Sequence, residues 1–123
     1  MAERSAAVHR AWLAAGWLLV AVVTWGSLTP TPPRVEFPFP QFDKVEHFSA
    51  YFGMTAWFTA AWPKRWRGVA LAFVIMGGLI EILQMFTGRD AEWLDWAADC
   101  AGVALALYPA RWLARLHDRW TTA

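Results

Sequence analysis

Four long apolar stretches alternate with short polar segments along this chain. An uncharged run covers residues 11–33, and twelve uncharged residues, 69–80, precede Glu81. About 20 residues at a rise of 1.5 Å each are enough to cross the ~30 Å hydrocarbon core of a membrane. Extending each stretch to that length predicts four transmembrane helices at about 11–29, 43–62, 68–88 and 94–112.

The composition supports a single membrane domain. Of the 123 residues, 58% are hydrophobic and only 17% are charged, which is typical of membrane proteins when the charges are bunched. We therefore predict an all-α fold, with one four-helix membrane domain covering 1–123. The proline-rich segment 29–42, TPTPPRVEFPFPQF, is predicted to be an extended extracytoplasmic loop, because proline interrupts helices. A cleaved signal peptide is the alternative for the first stretch, but that stretch is too long and lacks a small-x-small cleavage site.

Basic residues give the orientation. Most lysines and arginines flank the ends that the positive-inside rule places in the cytoplasm: Arg4, Arg10, Lys64, Arg65, Arg67, Arg111, Arg115 and Arg119. Three remain outside: Arg34, Lys44 and Arg89. We expect both termini to be cytoplasmic, in a bacterial inner membrane. Because the basic residues form no stripe, nucleic acid is not an expected partner.

Acidic residues gather at the opposite, outer end. These are Glu36, Asp43, Glu46, Glu81, Asp90, Glu92, Asp95 and Asp99. Three polar pairs lie three or four residues apart on predicted helices 2, 3 and 4: Asp43 with His47, Glu81 with Gln84, and Asp95 with Asp99. Residues at this spacing share one helix face, and polar groups in membranes face the bundle interior. The pairs therefore predict an outer-leaflet polar pocket built from three helices.

Glu81 is the costliest of these groups, because an unpaired carboxylate in an apolar setting is strongly unfavourable. We expect His47, Lys44 and Arg89 to be its partners. Acids outnumber bases at this end, so protonation of a carboxyl, a cation or a cationic ligand must balance the charge.

Several chemistries remain open for the pocket. His47 with Glu81 or Asp99 is a candidate acid–base pair. Alternatively, Glu81 and Gln84 only form polar contacts that hold neighbouring helices together. Asp43 is also a candidate N-cap of helix 2. No metal or other cofactor is expected, because His47 has no second histidine or cysteine on the outer side.

Three motifs together resemble the VanZ-like family of small integral membrane proteins. They are DKVEHFSAYFGM (43–54), EILQMFTGR (81–89) and RDAEWLDWAADCAG (89–102). Residues at the family's pattern positions are Asp43, Lys44, His47, Glu81, Gln84, Arg89, Asp95 and Gly102. At the position where the family usually has asparagine, this chain has Asp99.

The family takes its name from a protein linked to low-level resistance to teicoplanin, a lipoglycopeptide antibiotic. The resemblance implies a cell-envelope role in which the pocket engages an amphipathic lipid, glycolipid or lipoglycopeptide. The binding residues would be Asp43, Lys44, His47, Glu81, Gln84, Arg89, Asp95 and Asp99. A membrane enzyme acting on a lipid-linked substrate, and a structural bundle, are the alternatives.

Overall fold

The computed structural model describes residues 1–30 and 42–122, and almost all of them are helical. The five α-helices are α1 (Ala2–Leu28), α2 (Phe42–Ala61), α3 (Trp66–Gln84), α4 (Trp93–Ala106) and α5 (Ala110–Thr122). A short 3-10 helix, Pro63–Arg65, joins α2 to α3. The described residues contain no strand, so the all-α class is confirmed.

The first three helices lie close to their predicted positions. α1 begins at Ala2 rather than near residue 11, because residues 2–10 contain neither glycine nor proline and continue the helix. α3 ends at Gln84, and Gly88 follows with a φ of +73°, a backbone conformation that glycine adopts without steric cost. Of the predicted loop 29–42, residues 31–41 lie outside the described part of the chain.

The prediction of one continuous helix at 94–112 is wrong. α4 ends at Ala106, a turn covers 107–109, and the separate helix α5 begins at Ala110. Pro109 supplies the reason, because it lacks an amide hydrogen and its ring disfavours helical backbone in the preceding residue.

α2 is the central helix and contacts every other α-helix. Its buried face carries Tyr51, Met54 and Phe58, which pack with Phe73 of α3 and Val103 of α4 in the main apolar core. The approach to α4 is close at Gly102, where an added Cβ would collide with the backbone carbonyl of Phe48. This close approach fixes how α2 and α4 sit against each other.

α1 to α4 run in alternating directions, as two sets of contacts show. At one end, Gln84 at the end of α3 reaches Ser27 near the end of α1. At the other end, Trp12 of α1 stacks on Trp57 of α2, with ring centroids 3.9 Å apart. His9 and His117 share a 2.9 Å hydrogen bond there. The first residues of α1 and the last residues of α5 therefore lie at the same end of the bundle.

Two segments, Ala2–Leu28 and Pro63–Gln84, are long and apolar enough to cross a membrane, judged by length and composition. In the most apolar part of Ala2–Leu28, only 11% of the positions are buried within the chain. The second segment buries 28% of its corresponding positions. Most positions in these two apolar segments are thus not buried by the described part of the chain.

Candidate functional site

Three polar side chains from three helices meet at the end where α2 and α4 begin and α3 ends. His47 of α2, Glu81 of α3 and Asp99 of α4 each present a nitrogen or oxygen atom, and these atoms all lie within 4.8 Å of one another. We call these three residues the inner triad. Within the triad, His47 and Asp99 are close enough for a direct hydrogen bond, at 2.8 Å.

His47 lies between two carboxylates that are one helical turn apart on α4. Its Nδ1 shares a 2.8 Å hydrogen bond with Asp99 Oδ1, and its Nε2 is 3.7 Å from Asp95 Oδ2. Asp99 is 1% exposed and Asp95 is 6% exposed. The imidazole is therefore fixed in orientation by α4, as the four-residue spacing of the aspartates predicts.

Lys44 is the centre of a second acidic group, which lies nearer the surface. Its Nζ donates to Glu92 at 2.8 Å, to Asp43 at 3.1 Å and to Asp95 at 3.2 Å. We call Asp43, Glu92 and Asp95 the outer triad. Because α2 begins at Phe42, Asp43 lies within its first turn rather than at the predicted N-cap position. Lys44 thus joins the start of α2 to the start of α4.

Glu81 is 8% exposed, and its two oxygens differ in their surroundings. Oε2 accepts a 3.1 Å hydrogen bond from the backbone N–H of Glu92. Oε1 is buried and accepts no hydrogen bond from the described residues. Among the predicted partners of Glu81, His47 has a ring nitrogen within 4.8 Å of a Glu81 carboxylate oxygen. Lys44 instead bonds the three carboxylates of the outer triad.

Two predicted binding residues hold α1 in place. Gln84 Nε2 donates to the carbonyl of Ser27 at 2.8 Å, and Arg89 donates to the carbonyls of Gly26 and Thr29 at 3.3 and 3.1 Å. The last carbonyls of a helix have no partner within the helix, so these side chains satisfy the end of α1. The prediction that Arg89 pairs with Glu81 is wrong, because Arg89 Nη1 donates to Gly26 and Thr29 at the end of α1 and, within the described residues, no ion pair joins Arg89 to Glu81.

Gly77 brings α3 close to the inner triad. A Cβ built at this position would lie 2.9 Å from Asp99 Oδ2 and 3.2 Å from the Trp96 ring. Trp96 Nε1 also donates to the carbonyl of Val74 at 3.0 Å. Any larger residue at position 77 would therefore push α3 away from α4, and Glu81 away from Asp99.

An apolar groove of about 460 Å³ lies beside the site, between α3 and the start of α4. Its walls are mostly aliphatic and aromatic, and its polar lining residues are Glu81 and Glu92. The lining is Val74, Ile75, Gly78, Leu79, Glu81, Ile82, Met85, Ala91, Glu92, Trp93 and Trp96. The groove thus has mostly apolar walls, with the carboxylates of Glu81 and Glu92 as its acidic groups.

Sequence reasoning missed three contributors to this region. The sequence alone favours a solvated loop position for Glu92. In the structure its carboxylate accepts a hydrogen bond from Lys44, and its backbone N–H donates to Glu81. Gly77 reads only as a helix-packing glycine, and Trp96 only as an interfacial aromatic residue. The available signal for Glu92 is its position immediately before α4, where an acidic side chain favours the helix N-terminus.

Comparison with known proteins gives no match to a family model, to a curated protein or to a solved structure. The resemblance to the VanZ-like family stays a prediction that rests on the three motifs.

Proposed function

We propose that this chain is a VanZ-like integral membrane protein that binds an amphipathic envelope molecule. The bound class would be a lipid, glycolipid or lipoglycopeptide. The observation that carries the proposal is the apolar groove that reaches Glu81 and Glu92. An apolar tail would occupy the groove, and the polar head would lie against the carboxylates.

The exposed apolar surface supports a membrane setting. Leu18 is 66% exposed, Leu71 60%, Phe86 82% and Trp93 74%. Soluble monomers rarely expose large contiguous apolar surfaces, whereas lipid chains cover such residues without cost. Leu18 and Leu71 lie in the two segments that are long and apolar enough to span a bilayer, whereas Phe86 follows α3 and Trp93 begins α4 at the site end.

The alternating directions of α1 to α4 support four spans with both termini in the cytoplasm. The end near α5 carries most of the arginines and lysines, and the site end carries most of the acids. By the positive-inside rule the site then faces outward. α4 has 14 residues and is only about 21 Å long, so the turn at 107–109 would complete the fourth crossing and α5 would lie at the inner surface.

The negative charge of the site would determine which head groups of an amphipathic ligand can bind there. The inner and outer triads together contain five carboxylates, and Lys44 contacts the three that belong to the outer triad. A head group that donates hydrogen bonds, such as a sugar hydroxyl or an ammonium group, complements this surplus of acceptors. A lipoglycopeptide of the teicoplanin type has both an acyl chain and sugar hydroxyls.

Blocking the groove tests the proposal. Leu79→Trp fills the groove, whereas Leu71→Trp places the same side chain on α3 away from the groove; the two leucines are similarly exposed, at 54% and 60%. We expect native mass spectrometry of protein purified in mild detergent to show a bound envelope lipid in the wild type and in Leu71→Trp. Leu79→Trp should lose at least about ten-fold in occupancy, since the apolar tail is displaced.

Equal lipid occupancy in both variants, or none in the wild type after incubation with envelope lipid extract, would contradict lipid binding in this groove.

The same samples test the enzyme alternative, which the 2.8 Å contact between His47 and Asp99 favours. An imidazole oriented by a carboxylate is suited to general acid–base chemistry. A chemically altered lipid that appears with the wild type and not with His47→Gln would make the chain an enzyme.

A further inference from the structure

We infer that the inner triad of His47, Glu81 and Asp99 binds a divalent metal cation. The inference concerns the interior of the three-helix junction and does not depend on lipid binding in the groove.

The buried carboxylate of Glu81 favours a bound cation. Its side chain is more than nine-tenths buried, and Oε1 accepts no hydrogen bond from the described residues. A buried carboxylate oxygen without a partner is costly. Glu81 offers a carboxylate oxygen within 4.8 Å of ligand atoms on both His47 and Asp99. A cation at their common centre would satisfy it.

The two triads differ in how their negative charge is balanced. In the outer triad the Lys44 ammonium lies within 3.2 Å of an oxygen from each of three carboxylates. The inner triad has two carboxylates and an imidazole. The Arg89 guanidinium, a predicted partner of Glu81, donates instead to the carbonyls of Gly26 and Thr29. Lys44 thus balances the negative charge of the carboxylates in the outer triad, and a metal ion would balance that of the carboxylates in the inner triad.

The donor atoms of the inner triad are of the kinds that bind metal ions. One imidazole nitrogen and two carboxylate oxygens suit first-row divalent cations such as Mn²⁺ or Zn²⁺. Ligand atoms about 2.0–2.2 Å from a tetrahedral ion lie roughly 3.4 Å apart, so the three ligand atoms, now within 4.8 Å of one another, would draw together by up to about 1.4 Å. Gly77 leaves room for the Asp99 carboxylate, and Asp95, beside His47 Nε2, would help to orient the ring.

The sequence-based expectation of no metal relied on the lack of a second histidine or cysteine. The structure alters that reasoning, because it brings a buried carboxylate from each of two other helices to the single histidine.

Manganese titration tests the site. The full chain in detergent is stripped with a chelator and titrated with MnCl₂, and free Mn²⁺ is followed by electron paramagnetic resonance. We expect saturable binding of one ion per chain, weakened at least about ten-fold by Glu81→Gln and by His47→Gln, because each removes a ligand. Asp90→Asn is the matched control, since it removes an exposed carboxylate at the same end of the bundle and should leave binding unchanged.

Folding of each variant is checked by circular dichroism and by gel filtration. If Glu81→Gln does not fold, Asp99→Asn replaces it, because the asparagine keeps the size of the side chain. Competition by ZnCl₂ and MgCl₂ then identifies the preferred class of cation. The inference is overturned if the wild type shows no saturable Mn²⁺ or Zn²⁺ binding, or if folded Glu81→Gln or Asp99→Asn binds as tightly as the wild type.

Discussion

Lys44 illustrates how one side chain can decide the stability of a polar junction. Its ammonium group bonds three carboxylates from α2, from α4 and from the residue before α4, while its side chain is only 22% exposed. Exposed ion pairs contribute little to stability. Removing a shared, half-buried partner is different, because the carboxylates left behind repel one another and lose their hydrogen bonds.

We expect Lys44→Met to lower the free energy of unfolding by about 1–3 kcal/mol. Lys44→Arg, which keeps the charge, should lose much less. The measurement is denaturant unfolding in detergent, followed by circular dichroism. The double variant Lys44→Met/Asp95→Asn should recover part of the loss, because Asp95 is the most buried carboxylate of the outer triad. Strictly additive losses would show that the contact between the two side chains is not the cause.

At the scale of helices, glycines determine how closely α2, α3 and α4 approach. Gly102 of α4 faces the backbone of α2 at Phe48, and backbone cannot move aside as a flexible side chain can. Gly53 of α2 lies in the same helix pair, but a Cβ added there would meet nothing within 4 Å. These two positions therefore separate the effect of packing from that of helix propensity.

Gly102→Ala is expected to destabilise the bundle by about 2–3 kcal/mol, because the added methyl group forces α2 and α4 apart. Gly53→Ala should be neutral or stabilise by up to ~1 kcal/mol through its better helix propensity. Unfolding of both variants under identical detergent conditions gives the comparison. If Gly102→Ala proved as stable as Gly53→Ala, the close contact between α2 and α4 would be incorrect.

At the scale of the whole molecule, the two ends of the bundle differ in chemistry. One end joins the inner and outer triads, and the other joins His9 to His117 and stacks Trp12 on Trp57. Under the proposed topology the first end faces outward and the second faces the cytoplasm. The direction of the chain in the membrane then decides which envelope molecules can reach the groove.

Cysteine labelling tests this orientation. In a Cys100→Ala background, Asp90→Cys and Lys64→Cys place thiols at exposed positions on opposite ends. We expect a membrane-impermeant maleimide to label Asp90→Cys in intact cells and Lys64→Cys only after lysis. The reverse pattern would place the acidic site in the cytoplasm and exclude contact with molecules of the outer leaflet.

The sequence by itself determined the helical class and the approximate position of the first three helices. Long uncharged runs and proline-rich breaks are local properties, and a helix forms largely from its own backbone bonds. The four-residue spacing of Asp95 and Asp99 likewise placed both on one face, from which both approach His47.

The tertiary structure decided which of those groups meet. The rotation and axial offset of each helix depend on packing at Gly77 and Gly102, and these offsets are not encoded in the period of any one helix. They direct Arg89 to the end of α1 instead of to Glu81, and they leave one oxygen of Glu81 buried without a hydrogen-bond partner among residues 1–30 and 42–122. A side chain's partner is set by distances between helices, whereas its face is set within its own helix.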